Sequence, residues 1–184
     1  MKKLSMDELG RMTVAEFKSS DKLPLTVVLD NVRSLNNIGS VFRTGDAFRV
    51  AQICLCGITA TPPHRDIHKT ALGAEESVDW CYYEETADCV GRLKEQGYLV
   101  FAVEQVDESV MLDKSEKIEA LMTAKGEDCK VAVIMGNEVE GVQEELIPLC
   151  DACIEIPQFG TKHSLNVSCA ASIVMWEMFN MLKK

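Results

Sequence analysis

Two arginines and three asparagines crowd one short stretch, Asn31-Val32-Arg33-Ser34-Leu35-Asn36-Asn37-Ile38-Gly39-Ser40-Val41-Phe42-Arg43. A guanidinium offers a planar fork of donors and an amide offers both donor and acceptor. Together they hold phosphate and hydroxyl oxygens without a metal. Asn36, Ser40 and Arg43 fall three to four residues apart, so a helix sets them on one face. Ile38, Val41, Phe42, Gly45 and Phe48 recur at helical spacing as an inward face. Asn37 is placed to cap that helix.

A second stretch, Met135-Gly136-Asn137-Glu138-Val139-Glu140-Gly141-Val142, couples glycines to acids. Gly136 and Gly141 have the spacing of a phosphate-binding loop, but Val142 and Gln143 stand where lysine and a hydroxyl residue are required. Glu138 and Glu140 repel the phosphates that such a loop cradles. The stretch suits a ligand without a polyphosphate, or a tight turn with exposed acids. A third stretch runs from Ile156-Pro157 to Ser164-Leu165-Asn166-Val167-Ser168-Cys169-Ala170-Ala171-Ser172. Ser164 or Asn166 can cap the helix that follows. Its small residues admit the close approach of another backbone or a ligand.

Cys150-x-x-Cys153 has a metal-like spacing, but no second pair completes a tetrahedral site. No metal is expected, and the eight cysteines read as reduced thiols, with Cys54, Cys56 and Cys169 buried. The net charge of −10 argues against tight non-specific binding to RNA. Its distribution is uneven: residues 1–70 carry +3 and residues 71–184 carry −13. Cations for a phosphate backbone therefore come from Arg33, Arg43, Arg49, Arg65 and Lys69.

These stretches need a frame. Six apolar runs read as strands: 25–29, 52–56, 78–82, 98–103, 131–135 and 152–156. Several are unbroken Val/Ile/Leu/Cys, as in strands covered on both faces. Helical patterns over 37–49, 85–96, 115–124, 142–149 and 166–182 separate most of them. The fold class is α/β, with a mainly parallel six-stranded sheet and helices on both faces. Ligands in such sheets sit beyond the carboxyl ends of the strands, which is where the three stretches fall. Ahead of the sheet, Ser5–Glu8 and Thr13–Glu16 read as capping boxes of a helical arm over 5–19, with Leu4 and Leu9 as a hydrophobic staple. The chain divides into that arm, 1–22, and one domain, 23–184. Without a signal segment or an apolar run long enough to span a bilayer, a cytoplasmic protein is expected.

Asn37-x-Gly39-x-x-x-Arg43, Gly136-Asn-Glu138-x-x-Gly141-Val142, and Ile156-Pro157 followed by Ser164-Leu165-Asn166-Val167-Ser168 resemble, in order, the three motifs of the SpoU/TrmH family of RNA ribose methyltransferases, in the SPOUT class. Ala71-Leu72-Gly73-Ala74 is similar to this family too, and the likeness covers about residues 24–182. The resemblance implies a deep trefoil knot in the C-terminal part, a homodimer sharing its active sites, and S-adenosylmethionine as cofactor. It implies catalytic roles for Arg43, Asn37, Glu138, Ser164 and Asn166. The cofactor would lie among Met135, Gly136, Asn137, Gly141, Ile156, Pro157, Ser164 and Leu165, and the RNA along Arg33, Asn36, Arg43 and Arg65.

The implied chemistry is in-line methyl transfer to a ribose 2′-hydroxyl, with no metal. Arg43 is either the general base or a group that grips the adjacent phosphate and stabilises developing oxyanion character. The chain is expected to lack the RNA-binding extensions of the larger relatives, an expectation that modestly favours tRNA over ribosomal RNA as the substrate. A ribosomal-RNA ribose methyltransferase is the alternative within the enzyme class. A non-catalytic knotted RNA-binding or assembly protein is the alternative outside it, and an unrelated flavodoxin-like nucleotide binder stands further off. For the dimer contact, Val167, Ala170, Val174, Met178 and Leu182 offer an apolar stripe along the last helix.

Overall fold

Strands with no polar face must be covered from both sides, and that is how this chain is built. The computed structural model describes residues 1–5 and 7–183. Among them, seven parallel strands form one sheet: β1 (Leu23–Asp30), β2 (Val50–Cys56), β3 (Trp80–Tyr83), β4 (Leu99–Val103), β5 (Val110–Met111), β6 (Val131–Met135) and β7 (Ala152–Glu155). Their order is β3-β2-β1-β6-β4-β7-β5. β6 lies between β1 and β4, with Leu29 and Val103 both opposite Met135, and β7 lies between β4 and β5. The carboxyl ends of β4, β6 and β7 are thereby brought side by side.

Alternate residues of β1 serve opposite cores. Leu25, Val27 and Leu29 join one with Ile38 and Phe42 of α2 (Leu35–Phe48), Ile67 of α3 (Arg65–Ala71) and Val174 of α7 (Val167–Leu182). Val28 joins the other with Cys89 and Val90 of α5 (Thr86–Glu95) and Leu146 of a 3-10 helix, Glu144–Leu149. The remaining helices are α1 (Val14–Ser19), α4 (Ala74–Ser77) and α6 (Glu116–Lys125).

Several expectations need correction. The sheet has seven strands, not six, because β5 is only two residues long and too short for any periodicity to register. α3 and α4 were not foreseen; both are brief and sit among Pro62, Pro63 and Gly73, which read as loop. The helix expected over 142–149 is the 3-10 segment, which contains Pro148. Asn37 does not cap α2. Ser34 Oγ accepts the Asn37 amide at 3.3 Å, so the helix starts at Leu35 and Asn37 turns inside its first turn.

Both N-terminal capping boxes form, at Ser5/Glu8 and Thr13/Glu16. The arm they cap is a 3-10 turn, Asp7–Leu9, and then α1, rather than one helix. Leu4 and Leu9 stay exposed instead of closing a staple. Phe17 of α1 is buried, and Lys18 pairs with Asp79 at 2.5 Å. The expected inward face of α2 is buried except for Phe48, which is half-buried beside Trp176 and Phe179. On α7, Val167, Val174 and Met178 are covered by the chain's own core, and the exposed apolar side chains are Ile173 and Trp176. Cys169 is exposed rather than buried, while Cys54 and Cys56 are buried as expected; all eight cysteines are free.

Candidate functional site: three loops joined at one asparagine

The turn after β6 is shaped by backbone contact. Asn137 and Gly141 exchange two backbone hydrogen bonds, at 3.0 and 3.1 Å. The Asn137 side chain, itself buried, accepts from the amides of Val139 and Glu140 at 2.9 and 2.8 Å. A Cβ on Gly136 would lie 2.0 Å from the Gly141 carbonyl carbon, so no other residue fits there. Gly141 has a φ of +72°, which favours glycine.

This turn aims Glu138 at the start of α2. Glu138 Oε1 accepts from Asn37 Nδ2 at 2.8 Å and from the Ser34 amide at 3.3 Å. Its Oε2 accepts from the Arg33 amide at 3.3 Å. Burial opposes ionisation of the Glu138 carboxyl, but hydrogen bonds from the Asn37 side chain and from backbone amides outweigh it and hold the group below the usual carboxylate range. The other end of the Asn37 amide, Oδ1, accepts from Asn166 Nδ2 at 3.2 Å. Asn166 in turn caps α7, accepting from the amides of Ser168 and Cys169. One nearly buried side chain thus ties all three chemically unusual segments together.

Two carboxylates brace the same turn from behind. Asp30, fully buried at the end of β1, accepts the Gln143 amide on Oδ2 at 3.1 Å. Its Oδ1 accepts from Gln143 Nε2 and from Thr86 Oγ1. Glu104, just past β4, accepts the Val142 amide at 2.9 Å. Neither carboxylate was assigned a role from sequence. The signal for Glu104 was available, since it follows a strand of the same sheet and post-strand loops are where ligands bind. Asp30 needed the fold, because its partners lie 56 and 113 residues away.

Beside this junction a cavity of about 460 Å³ opens at the ends of β4, β6 and β7. Met135, Gly136, Asn137, Gly141, Ile156, Ser164 and Leu165 line it, with Glu138 and Asn166 at its edge; Pro157 does not. Glu104, Glu140 and Glu155 face it as well, with His163, and among the described residues neither lysine nor arginine does. Such a lining rejects polyphosphate and accepts a neutral or cationic ligand with apolar parts.

The remaining expected residues lie elsewhere. Arg43 is exposed on α2, six residues and therefore about 9 Å along the axis from Asn37. It forms no salt bridge among the described residues. Arg33 gives its amide to Glu138 and keeps its side chain exposed; Asn36 is exposed nearby. Arg65 opens α3 and faces a second cavity instead. No group of three or more His, Cys, Asp or Glu among the described residues is arranged to hold a metal ion. Among the same residues no helix is long and apolar enough to cross a membrane.

This geometry has relatives. A Staphylococcus saprophyticus protein named for the TrmH family of tRNA/rRNA methyltransferases is 28% identical over 166 residues, covering 90% of this chain and 62% of that protein. The chain thus spans less than two thirds of the length of that curated relative. The structure of an AdoMet-bound rRNA methyltransferase from Sinorhizobium meliloti superposes with a TM-score of 0.75 at 27% identity, covering 89% of this chain and 62% of that one. A TrmH/SpoU tRNA modifying enzyme of A. aeolicus, at 23% identity, shares the fold with a TM-score of 0.75 over 91% of this chain and 80% of its own. The pattern of the SpoU rRNA methylase family itself matches residues 24–176, from the first strand through most of the last helix, and so takes in every segment that meets at Asn37. This chain belongs to the SpoU rRNA methylase family.

Proposed function

We propose that this chain is an S-adenosylmethionine-dependent RNA methyltransferase acting on a ribose 2′-hydroxyl, with tRNA as substrate, and that it works as a cytoplasmic homodimer. The observation that carries this reading is the Asn37 junction, which holds Glu138, Asn166 and the cavity wall in one hydrogen-bonded unit. The AdoMet-bound relative supports the cofactor, and the cavity fits it: several acids, with no lysine or arginine among the described residues, suit a ligand bearing a sulfonium and an ammonium group. When bound, the cofactor supplies an electrophilic methyl group.

The chain's own residues do the rest. Gly136, Ile156 and Leu165 offer backbone and apolar surface to the cofactor, with Met135, Asn137, Gly141 and Ser164 beside them. Pro157 is left to shape the loop. Arg43, exposed and in no ion pair among the described residues, grips the phosphate next to the target ribose and stabilises negative charge developing on the 2′-oxygen; accepting the proton is the rival role. Arg33 and Asn36 extend that polar surface along the RNA. The arm, residues 1–22, adds contact area to the domain at 23–184.

The same reading includes a deep trefoil knot in the C-terminal part. The late insertion of β6 and β7 between earlier strands supports it. The dimer is supported by Ile173 and Trp176, apolar and exposed on α7, rather than by the stripe expected from sequence. Trp176 packs on Phe48 and Phe179, so its position is set within one chain.

The deciding experiment incubates the protein with labelled S-adenosylmethionine and separate tRNA and ribosomal RNA pools, followed by nucleoside digestion and mass spectrometry. A 2′-O-methylated nucleoside from tRNA is expected. A base-methylated product, or none from a protein that binds the cofactor, overturns the reading. Light scattering that finds only a 20.4 kDa species across dilutions removes the dimer.

A further inference from the structure

We propose that the second cavity, between α3 and the edge strand β3, is a subsite for an unstacked nucleobase of the RNA, away from the methylated nucleotide; the proposal rests on the RNA reading above. The cavity measures about 460 Å³, within the range of about 300–1,000 Å³ typical of small-ligand sites. Trp80, Pro62 and Pro63 give it an apolar side, with His64, Arg65, His68 and Glu76 around them. Trp80 is half-buried and packs against the main core, so the indole is held rather than free. A held aromatic face is the platform on which proteins stack unpaired bases.

The polar groups favour a base over a phosphate. Glu75 is spent: Oε1 lies 2.5 Å from His68 Nδ1 and Oε2 accepts the Gly73 amide at 3.1 Å. Glu76 is exposed and forms no ion pair among the described residues. A carboxylate repels phosphate but accepts the ring and amino N–H groups of a base edge. Arg65, which forms no ion pair among the described residues, supplies positive charge for the connecting backbone. This answers how a chain of net charge −10 captures RNA. Part of the affinity comes from stacking, which needs no large positive field.

The cavity is also placed to act with the first site. The opposite face of α3 packs on α2 so closely that a Cβ on Gly39 would lie 2.2 Å from the Ile67 carbonyl oxygen. Thr70 Oγ1 donates to the Asn36 carbonyl at 2.9 Å. One helix width, about 10 Å, therefore separates the subsite from the helix that carries Arg43, which suits a nearby nucleotide of the same strand.

The test titrates the protein with an unstructured hexaribonucleotide and follows tryptophan emission, then measures RNA affinity by anisotropy. Wild-type emission should quench saturably, and Trp80→Phe should abolish the Trp80 share of that quench. Trp80→Leu, which keeps apolar bulk and loses the π face, should bind RNA about tenfold more weakly. Trp80→Phe should stay close to wild type in affinity, and both variants should bind S-adenosylmethionine normally. Trp80→Leu binding and methylating RNA as wild type does, or an unchanged quench in Trp80→Phe, overturns the subsite and leaves the methyltransferase reading standing. A wild-type protein that binds the cofactor but methylates no RNA overturns both.

Discussion

Two stretches of one helix behave in opposite ways. At the first turn of α2, Asn37 is nearly buried and spends both ends of its amide, on Glu138 and on Asn166. Less than two turns later Arg43 is exposed and pairs with no acid among the described residues. The same division runs through the molecule. Beside the cavity Glu104 and Glu138 are spent on internal hydrogen bonds, whereas Arg33 and Arg43 keep their side chains exposed. A group already satisfied within the fold can only position others. A group left unsatisfied at the surface is available to substrate.

That contrast is most exposed at Arg43. Arg43→Ala should lower methyl transfer at least about a hundredfold while the protein stays folded and binds S-adenosylmethionine normally, as for loss of an oxyanion-stabilising group. Arg43→Lys should not restore it, because a point charge does not reproduce a planar fork. A folded Arg43→Ala protein with an ordinary single-turnover rate removes the residue from the mechanism. Gly136→Ala probes the closed side. Its methyl group has nowhere to go, so overpacking of about 1–3 kcal/mol should displace the turn and weaken cofactor binding roughly tenfold or more. Calorimetry with S-adenosylmethionine reads this directly.

Asn37→Asp is a smaller change in shape than in chemistry. It sets an oxygen against Glu138 where an N–H stood, and should cost about 1–3 kcal/mol of stability, measured by denaturant unfolding. An unchanged midpoint would mean that the junction does not hold the loops. The smallest effect concerns pH. The folded Glu138 carboxyl lies below its ordinary value of 4.5, so its ionised form stabilises the fold. That contribution is complete above about pH 4.5 and is lost as pH falls through the lowered value. The stability difference between wild type and Glu138→Gln should therefore shrink as the solution is acidified below that point. A difference independent of pH would show that the charge is not what Glu138 contributes.

Local patterns were enough to read the parallel α/β frame, six of its strands and both capping boxes, because periodicity and caps depend on residues a few positions apart. They were also enough to mark Asn37, Glu138 and Asn166 as unusual. What they misjudged was contact. Asn37 has the composition of a cap, yet Ser34 takes that role because the turn after β6 arrives to occupy Asn37 instead. The α7 stripe has the periodicity of an interface, yet the core of the same chain covers most of it. By itself the sequence determined the longer strands and helices, their order along the chain and the chemistry of each loop. Only the tertiary structure decided which loops meet, that Asp30 and Glu104 brace one of them, and that Arg65 faces another cavity. The physical reason is range: a hydrogen bond spanning about a hundred residues leaves no trace in the spacing of its two ends.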